Sequence, residues 1–173
     1  MTPSAREGLV ATVEAFLHDS GLASEPGARE GEIVVTVPGD KKLKTLVSLV
    51  AGDTDLSVSA FVIRNADENH EEFYRFLLRR NLRLRGLAYA VDRSGDVYLT
   101  GRIPAAGVDE GALDRLFGVV LEAADEPFNE LLVIGFLSSM RKEWEWRVSR
   151  GESLRSLEAF RSLLQREGDP GPE

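Results

Sequence analysis

The sequence predicts an α+β fold, a five-stranded antiparallel sheet with helices packed on it, and three observations carry that prediction. Apolar residues recur with period two in a group of three runs and again in a group of two, each group joined by short polar turns. Repeats of helical period stand before, between and after these groups, so the order along the chain is α-βββ-α-ββ-α-α. Short connections within a strand group imply antiparallel neighbours. The third observation is size: 173 residues, 43% of them hydrophobic, suffice for one packed core without disulfides or a structural metal.

The first helix opens on Ser4, which with Glu7 forms a capping box, and Leu9, Val13, Phe16 and Leu17 follow at helical spacing until Gly21. Residues Ala23 to Glu32 are small, charged, Gly or Pro and read as an exposed connector. Ile33, Val35 and Val37 then share one face of a strand, Pro38-Gly39-Asp40 turns the chain, and Leu43 to Val50 returns. After Gly52-Asp53, a third strand alternates Leu56, Val58, Ala60 and Val62 with Ser57, Ser59, Phe61 and Ile63.

Asn69, with Glu72 three residues on, is the expected cap of a second helix striped by Phe73, Phe76, Leu77 and Leu84 and ended by Gly86. Leu87, Tyr89 and Val91, the turn Asp92-Arg93-Ser94-Gly95-Asp96, then Val97, Leu99 and Ile103 form a hairpin. Asp109 opens a long helix that Pro127 interrupts or kinks, with the second half reaching about Val148. A last helix is expected over about 153–166 from a cap at Ser153, carrying Leu154, Leu157, Phe160 and Leu164, followed by a disordered tail at 168–173. The whole reads as a single α+β domain over 1–167.

A net charge of −8 argues against general affinity for nucleic acid or anionic membranes, since the long-range field repels phosphate. The absence of cysteine removes disulfides, thiolate ligands and cysteine nucleophiles together. The most apolar stretch, Leu131 to Met140, is about half the ~20 residues a membrane helix needs. Met1 to Glu14 carries no secretory pattern, and a cytoplasmic location is the expectation.

Few residues suggest chemistry. His70 lies among Asp67, Glu68, Glu71 and Glu72, but the position four residues on is Tyr74, so the two-histidine face of a zincin helix is missing. Acids at a helix start equally suit the helix dipole. Asp53, Asp55, Asp92 and Asp96 flank turns, where aspartate bonds nearby backbone groups. No Gly-x-Ser-x-Gly elbow or phosphate loop occurs. Arg79, Arg80, Arg83 and Arg85 crowd the end of the second helix, where cations suit the dipole and where guanidinium groups can also grip an anion or an acidic peptide. Lys41, Lys42 and Lys44 read as a solvated turn and strand edge.

The run from Leu131 to Leu137 is apolar all round a helix, so something must cover its second face. Either the C-terminal helix does so within the monomer, or Leu131, Leu132, Ile134, Phe136 and Leu137 form a subunit interface. Trp144 and Trp146 are two apart and point in nearly opposite directions on a helix, so one of them is expected to be exposed, packed on an arginine stem or offered to a partner.

Leu77-Leu78-Arg79-Arg80-Asn81, the hairpin from Gly86 to Pro104 with its Asp92-to-Leu99 centre, and Val120-Leu121-Glu122-Ala123-Ala124-Asp125 make the chain resemble the YbjN family, a bacterial group associated with sensory-transduction regulation. The resemblance spans most of residues 5–148, and 17 arginines against four lysines suggest an actinobacterial member. It implies a fold like that of type III secretion chaperones, small proteins that often dimerise and bind extended segments of partners, and it implies no catalytic residue and no cofactor. The expected function is thus a noncatalytic regulatory or chaperone-like interaction module, homodimeric, with an unidentified protein or peptide partner. A sensor of small anions using Arg79 to Arg85 is the alternative, and a metal-dependent hydrolase around His70 is a third.

Overall fold

The computed structural model describes residues 4–165. Helix α1 (Ala5–Ser20) leads into strands β1 (Ala23–Pro26), β2 (Glu32–Pro38), β3 (Lys44–Ala51) and β4 (Asp55–Ile63). Helix α2 (His70–Asn81) precedes β5 (Ala88–Val91) and β6 (Val97–Pro104). Helix α3 (Glu110–Val120) passes through a π-helical turn at Leu121–Asp125 into α4 (Phe128–Arg150), and a 3-10 run at Arg155–Phe160 ends in the single turn α5 (Arg161–Leu164).

The sheet has six strands rather than five, ordered β1-β2-β3-β4-β6-β5, with every pairing antiparallel. The added strand, β1, lies in the segment expected to be a connector. All four of its residues are exposed, so no alternation betrays it, and it joins the sheet through backbone pairing such as Ser24 with Val35. Its brevity and its proline suit an edge strand.

One face of the sheet is apolar. Val35, Val47, Leu49, Ala60, Val62 and Leu99 are buried beneath the helices, whereas Ser48, Ser57 and Thr100 look the other way. Between Phe61 and Ile63 the register of β4 against β6 slips, and this bulge buries both Val62 and Ile63. Helix α1 is fixed by the expected capping box, Glu7 N donating to Ser4 Oγ at 3.2 Å and Ser4 N to Glu7 Oε2 at 2.6 Å. Its Phe16 stacks on Phe117 of α3 with ring centroids 5.8 Å apart. Helix α3 starts where expected, with Asp109 accepting from Ala112 N at 2.7 Å.

The C-terminal segment differs from the helix expected from Ser153. Leu154, Leu157 and Phe160 are three apart, a spacing that aligns side chains on a 3-10 helix, and that is the form adopted before one α-turn brings in Leu164. Leu157, Phe160 and Leu164 bury Met140 and Trp144 of α4 in a second apolar cluster, against which Val133 and Leu137 also pack. The tail at 168–173 lies outside the described residues.

Candidate functional site

Helix α2 buries Phe73 and Leu77 and turns its basic end toward the π-helical turn. Between them runs a groove of about 820 Å³ with Phe76, Leu84 and Ile134 among its apolar lining. Arg75, Arg79, Arg80 and Arg83 line it, and so do Glu71, Glu72, Glu122 and Glu126, so its formal charges balance. Arg85 is not part of the lining. Arg80 is bound into the fold: its Nε donates to Tyr89 Oη at 3.3 Å, its Nη2 donates to Glu122 O at 3.1 Å, and the guanidinium lies 5.7 Å from the Phe76 ring. Tyr89 Oη in turn donates to Ala123 O at 2.6 Å, and burial raises the pKa of this phenol, only partly opposed by Arg80.

The acids before His70 are engaged with α4. Asp67 accepts from Arg64 Nη1 at 2.7 Å and from Ser139 Oγ at 2.7 Å, and the bonds from Arg64 and then Ser139 hold its carboxyl at about 2. Glu68 accepts from Ser138 N at 2.7 Å and Ser138 Oγ at 2.8 Å, which lowers its pKa likewise. Among the described residues no group of three His, Asp or Glu side chains is placed to share a metal ion. Asn69, expected to cap α2 through its side chain, instead sits at φ 54 in the left-handed region and donates Nδ2 to Ile134 O at 3.0 Å. The loop before α2 is thus a clasp on α4, closed by the small Gly135, where a Cβ would meet Ala66 and Phe73 at 2.9 and 3.0 Å.

Lys42 corrects the reading of the lysine turn. Lys41 and Lys44 are exposed, but Lys42 is only 9% exposed. Its Nζ donates to Phe61 O at 3.0 Å and Val62 O at 2.7 Å, the carbonyls of the β4 bulge. Burial lowers its pKa to about 8, partly opposed by the charge of Asp125. Asp125 is itself buried, held by three backbone N–H groups of the turn: Asp40 N at 3.0 Å, Lys41 N at 3.0 Å and Lys42 N at 2.8 Å. Desolvation pushes the Asp125 carboxyl up, and those three bonds together with the Lys42 charge outweigh it, leaving a lowered pKa. Gly39 is required there, because a Cβ would overlap Asp125 Oδ1.

The other turn acids are structural. Asp92 Oδ1 accepts from the backbone N of Ser94 and of Asp96, both at 2.9 Å, while Asp53 faces Arg6 and Asp55 faces Arg102. Of the tryptophans, Trp144 is 1% exposed and Trp146 is 46% exposed with Arg150 stacked 4.9 Å from its ring. On α4, Leu131 and Phe136 are buried, and Leu132, Ile134 and Leu137 are half-buried. The outer face of α2, which no sequence argument singled out, leaves Leu78 at 65% and Leu82 at 88% exposed. The four-residue steps from Tyr74 to Leu78 to Leu82 were the available signal.

Comparison with known proteins agrees with this architecture. The model of the YbjN family, described as "Putative bacterial sensory transduction regulator", matches residues 9–132. An uncharacterised protein of Mycobacterium leprae is 53% identical over 137 residues, which cover 79% of this chain and 74% of that protein. An uncharacterised protein of Mycobacterium tuberculosis is 50% identical over 138 residues, covering 80% and 75%. These relatives accord with the actinobacterial affiliation suggested by the arginine bias. Among solved structures, a chain of the ExsC–ExsE complex superposes with a TM-score of 0.55 at 20% identity, covering 75% of this chain and 97% of that one. A chain of the HopA1–SchA chaperone–effector complex does so with a TM-score of 0.52 at 13% identity, covering 70% and 94%. The chaperone-like α+β fold implied by the resemblance is therefore the fold adopted. With a family model matching most of its length and relatives identical at half their aligned positions, the chain belongs to the YbjN family.

Proposed function

We propose that the protein is a noncatalytic interaction module that works in the cytoplasm as a homodimer and holds a segment of another polypeptide. The observation that carries this reading is the outer face of α2. Leu78 and Leu82 stand open to solvent along one line with Tyr74, and a shallow apolar groove beside them is bordered by Glu71, Arg75 and Arg79. A second copy related by a two-fold axis fits this face. Antiparallel pairing about Leu78 sets Tyr74 of each copy against Leu82 of the other. The two helix dipoles then oppose each other favourably.

For the second polypeptide, the half-exposed Leu132, Ile134 and Leu137 of α4 offer apolar contacts, Ile134 along the arginine groove and Leu132 beside the end of β4, and Trp146 offers an aromatic anchor. Leu131 and Phe136 lie in the core. Arg79, Arg83 and Arg85 form a basic rim suited to an acidic stretch of a partner. The likeness to chains solved in a chaperone–effector complex and in the ExsC–ExsE complex supports a polypeptide ligand. The groove gives an anion sensor no comparable support, since its four arginines face four glutamates.

Light scattering on the eluting protein tests the dimer. The wild type is expected at twice the chain mass, and Leu78→Asp with Leu82→Asp at the monomer mass with an unchanged circular dichroism spectrum. A wild type that stays monomeric at high micromolar concentration overturns the reading.

A further inference from the structure

Helix α4 turns Phe128, Leu132, Phe136 and Met140, at four-residue steps, toward a cleft whose other walls are the end of β4 and Leu157 of the 3-10 run. Its volume is about 550 Å³, within the range of small-ligand sites. Lys42 lies at one end, its Nζ 5.6 Å from the centre of the Phe61 ring and 5.5 Å from that of Phe128, both of which line the cleft. Two of the three ammonium N–H groups are used by the bulge carbonyls Phe61 O and Val62 O. Among the described residues no ion pair includes Lys42. The nearby acid, Asp125, has both oxygens occupied by the backbone of residues 40–42. At the rim, Arg64 is paired with Asp67 and Glu143 with Arg147, so the one cation of the cleft without a carboxylate partner is Lys42.

We propose that this cleft binds a small amphipathic monocarboxylate, its apolar body against Leu132, Phe136 and Met140 and its carboxylate on the third N–H of Lys42. A buried ammonium bonded only to neutral carbonyls gains a charge-assisted bond from a carboxylate. A polyanion would carry further charge into the apolar wall without a partner, which is costly, and an amine would be repelled.

The test titrates octanoate, octanol and octylammonium into the 15N-labelled full chain and follows its amide resonances. Octanoate is expected to shift Phe61, Val62, Phe128 and Leu132 saturably, octanol to bind at least about tenfold more weakly, and octylammonium to leave these signals in place. Lys42→Met is expected to erase the preference for octanoate over octanol. Lys42→Gln, which keeps donors for the two carbonyls, serves the same purpose if the methionine variant does not fold. Octanol binding as tightly as octanoate to the wild type, octanoate shifts confined to another surface, or no saturable shift would each overturn the proposal.

Discussion

The arginine groove and the Lys42 cleft use positive charge in opposite ways. In the groove, charge is abundant and half-solvated: four guanidinium groups face four carboxylates, and Arg79 and Arg83 are exposed. In the cleft the one cation without a carboxylate partner, Lys42, is held by two carbonyls and two aromatic rings and attracted by a carboxylate already committed to the backbone. Charge density marks the first in a sequence, but burial gives the second its leverage, because a charge removed from water binds its neighbours more strongly and costs more when left alone. The same contrast ranks the effects of substitution.

The largest effect belongs to Asp125. Replacing it with alanine strips three backbone N–H groups of their acceptor and leaves the Lys42 cation without its nearest opposite charge. Unfolding free energy should fall by about 3–5 kcal/mol, read from urea denaturation. A loss below about 1 kcal/mol would mean that water replaces the carboxylate and that the cleft is built more loosely than its bonds imply.

Much of this architecture was legible in the sequence, and the exceptions share a cause. Ser4 with Glu7 and the turn acid Asp92 declare themselves because they bond to residues a few positions away, and the alternation from Leu56 to Val62 does so because it is written within a single strand. The strand at Ala23–Pro26 has no alternation to read, since only its backbone joins the sheet. Asn69 looked like a cap because local bonding is the usual fate of asparagine before a helix, yet its partner Ile134 is 65 positions away. Lys42 and Asp125 lie 83 positions apart and between them carry the cleft and its turn. Neither stands out, because one sits in a lysine-rich turn and the other before a proline-broken helix, where charged residues are ordinary. Gly39 was the one local hint, read only as a turn residue, although it is also what lets Asp125 approach.

A smaller effect, with a definite sign, follows from Lys42. Its pKa is lowered to about 8 by burial, below the ordinary 10.5. Between those values the unfolded chain binds more protons than the folded one, so stability from this residue rises as pH increases. Below pH 8 the folded chain carries the full cost of burying the cation, and by pH 10.5 that cost is relieved. The difference in unfolding free energy between wild type and Lys42→Met is therefore expected to shift in favour of the wild type from pH 8 to pH 10.5 and to stay level just below that window. A shift in the opposite direction would show that Asp125 and the two carbonyls stabilise the cation more than burial penalises it, which would make the cleft electrostatically closer to the groove.

The smallest effects divide the arginine cluster from within. Arg80 donates to Tyr89 Oη and Glu122 O and so ties α2 to β5 and to the π-helical turn, whereas Arg79 and Arg83 lie exposed on the groove. Arg80→Ala should cost about 1–3 kcal/mol, since a charged donor is lost from two bonds, one of them to a phenol that keeps only its bond to Ala123 O. Arg79→Ala and Arg83→Ala should each stay within about 0.5 kcal/mol of the wild type. Thermal denaturation of the three variants side by side separates them. If all three proved equal and small, Arg80 would join its neighbours as a surface charge free to meet a partner. If Arg79 or Arg83 matched Arg80, the four glutamates of the groove would be acting as structural counter-ions, and the groove would be a seam of the fold rather than a surface held open for a ligand.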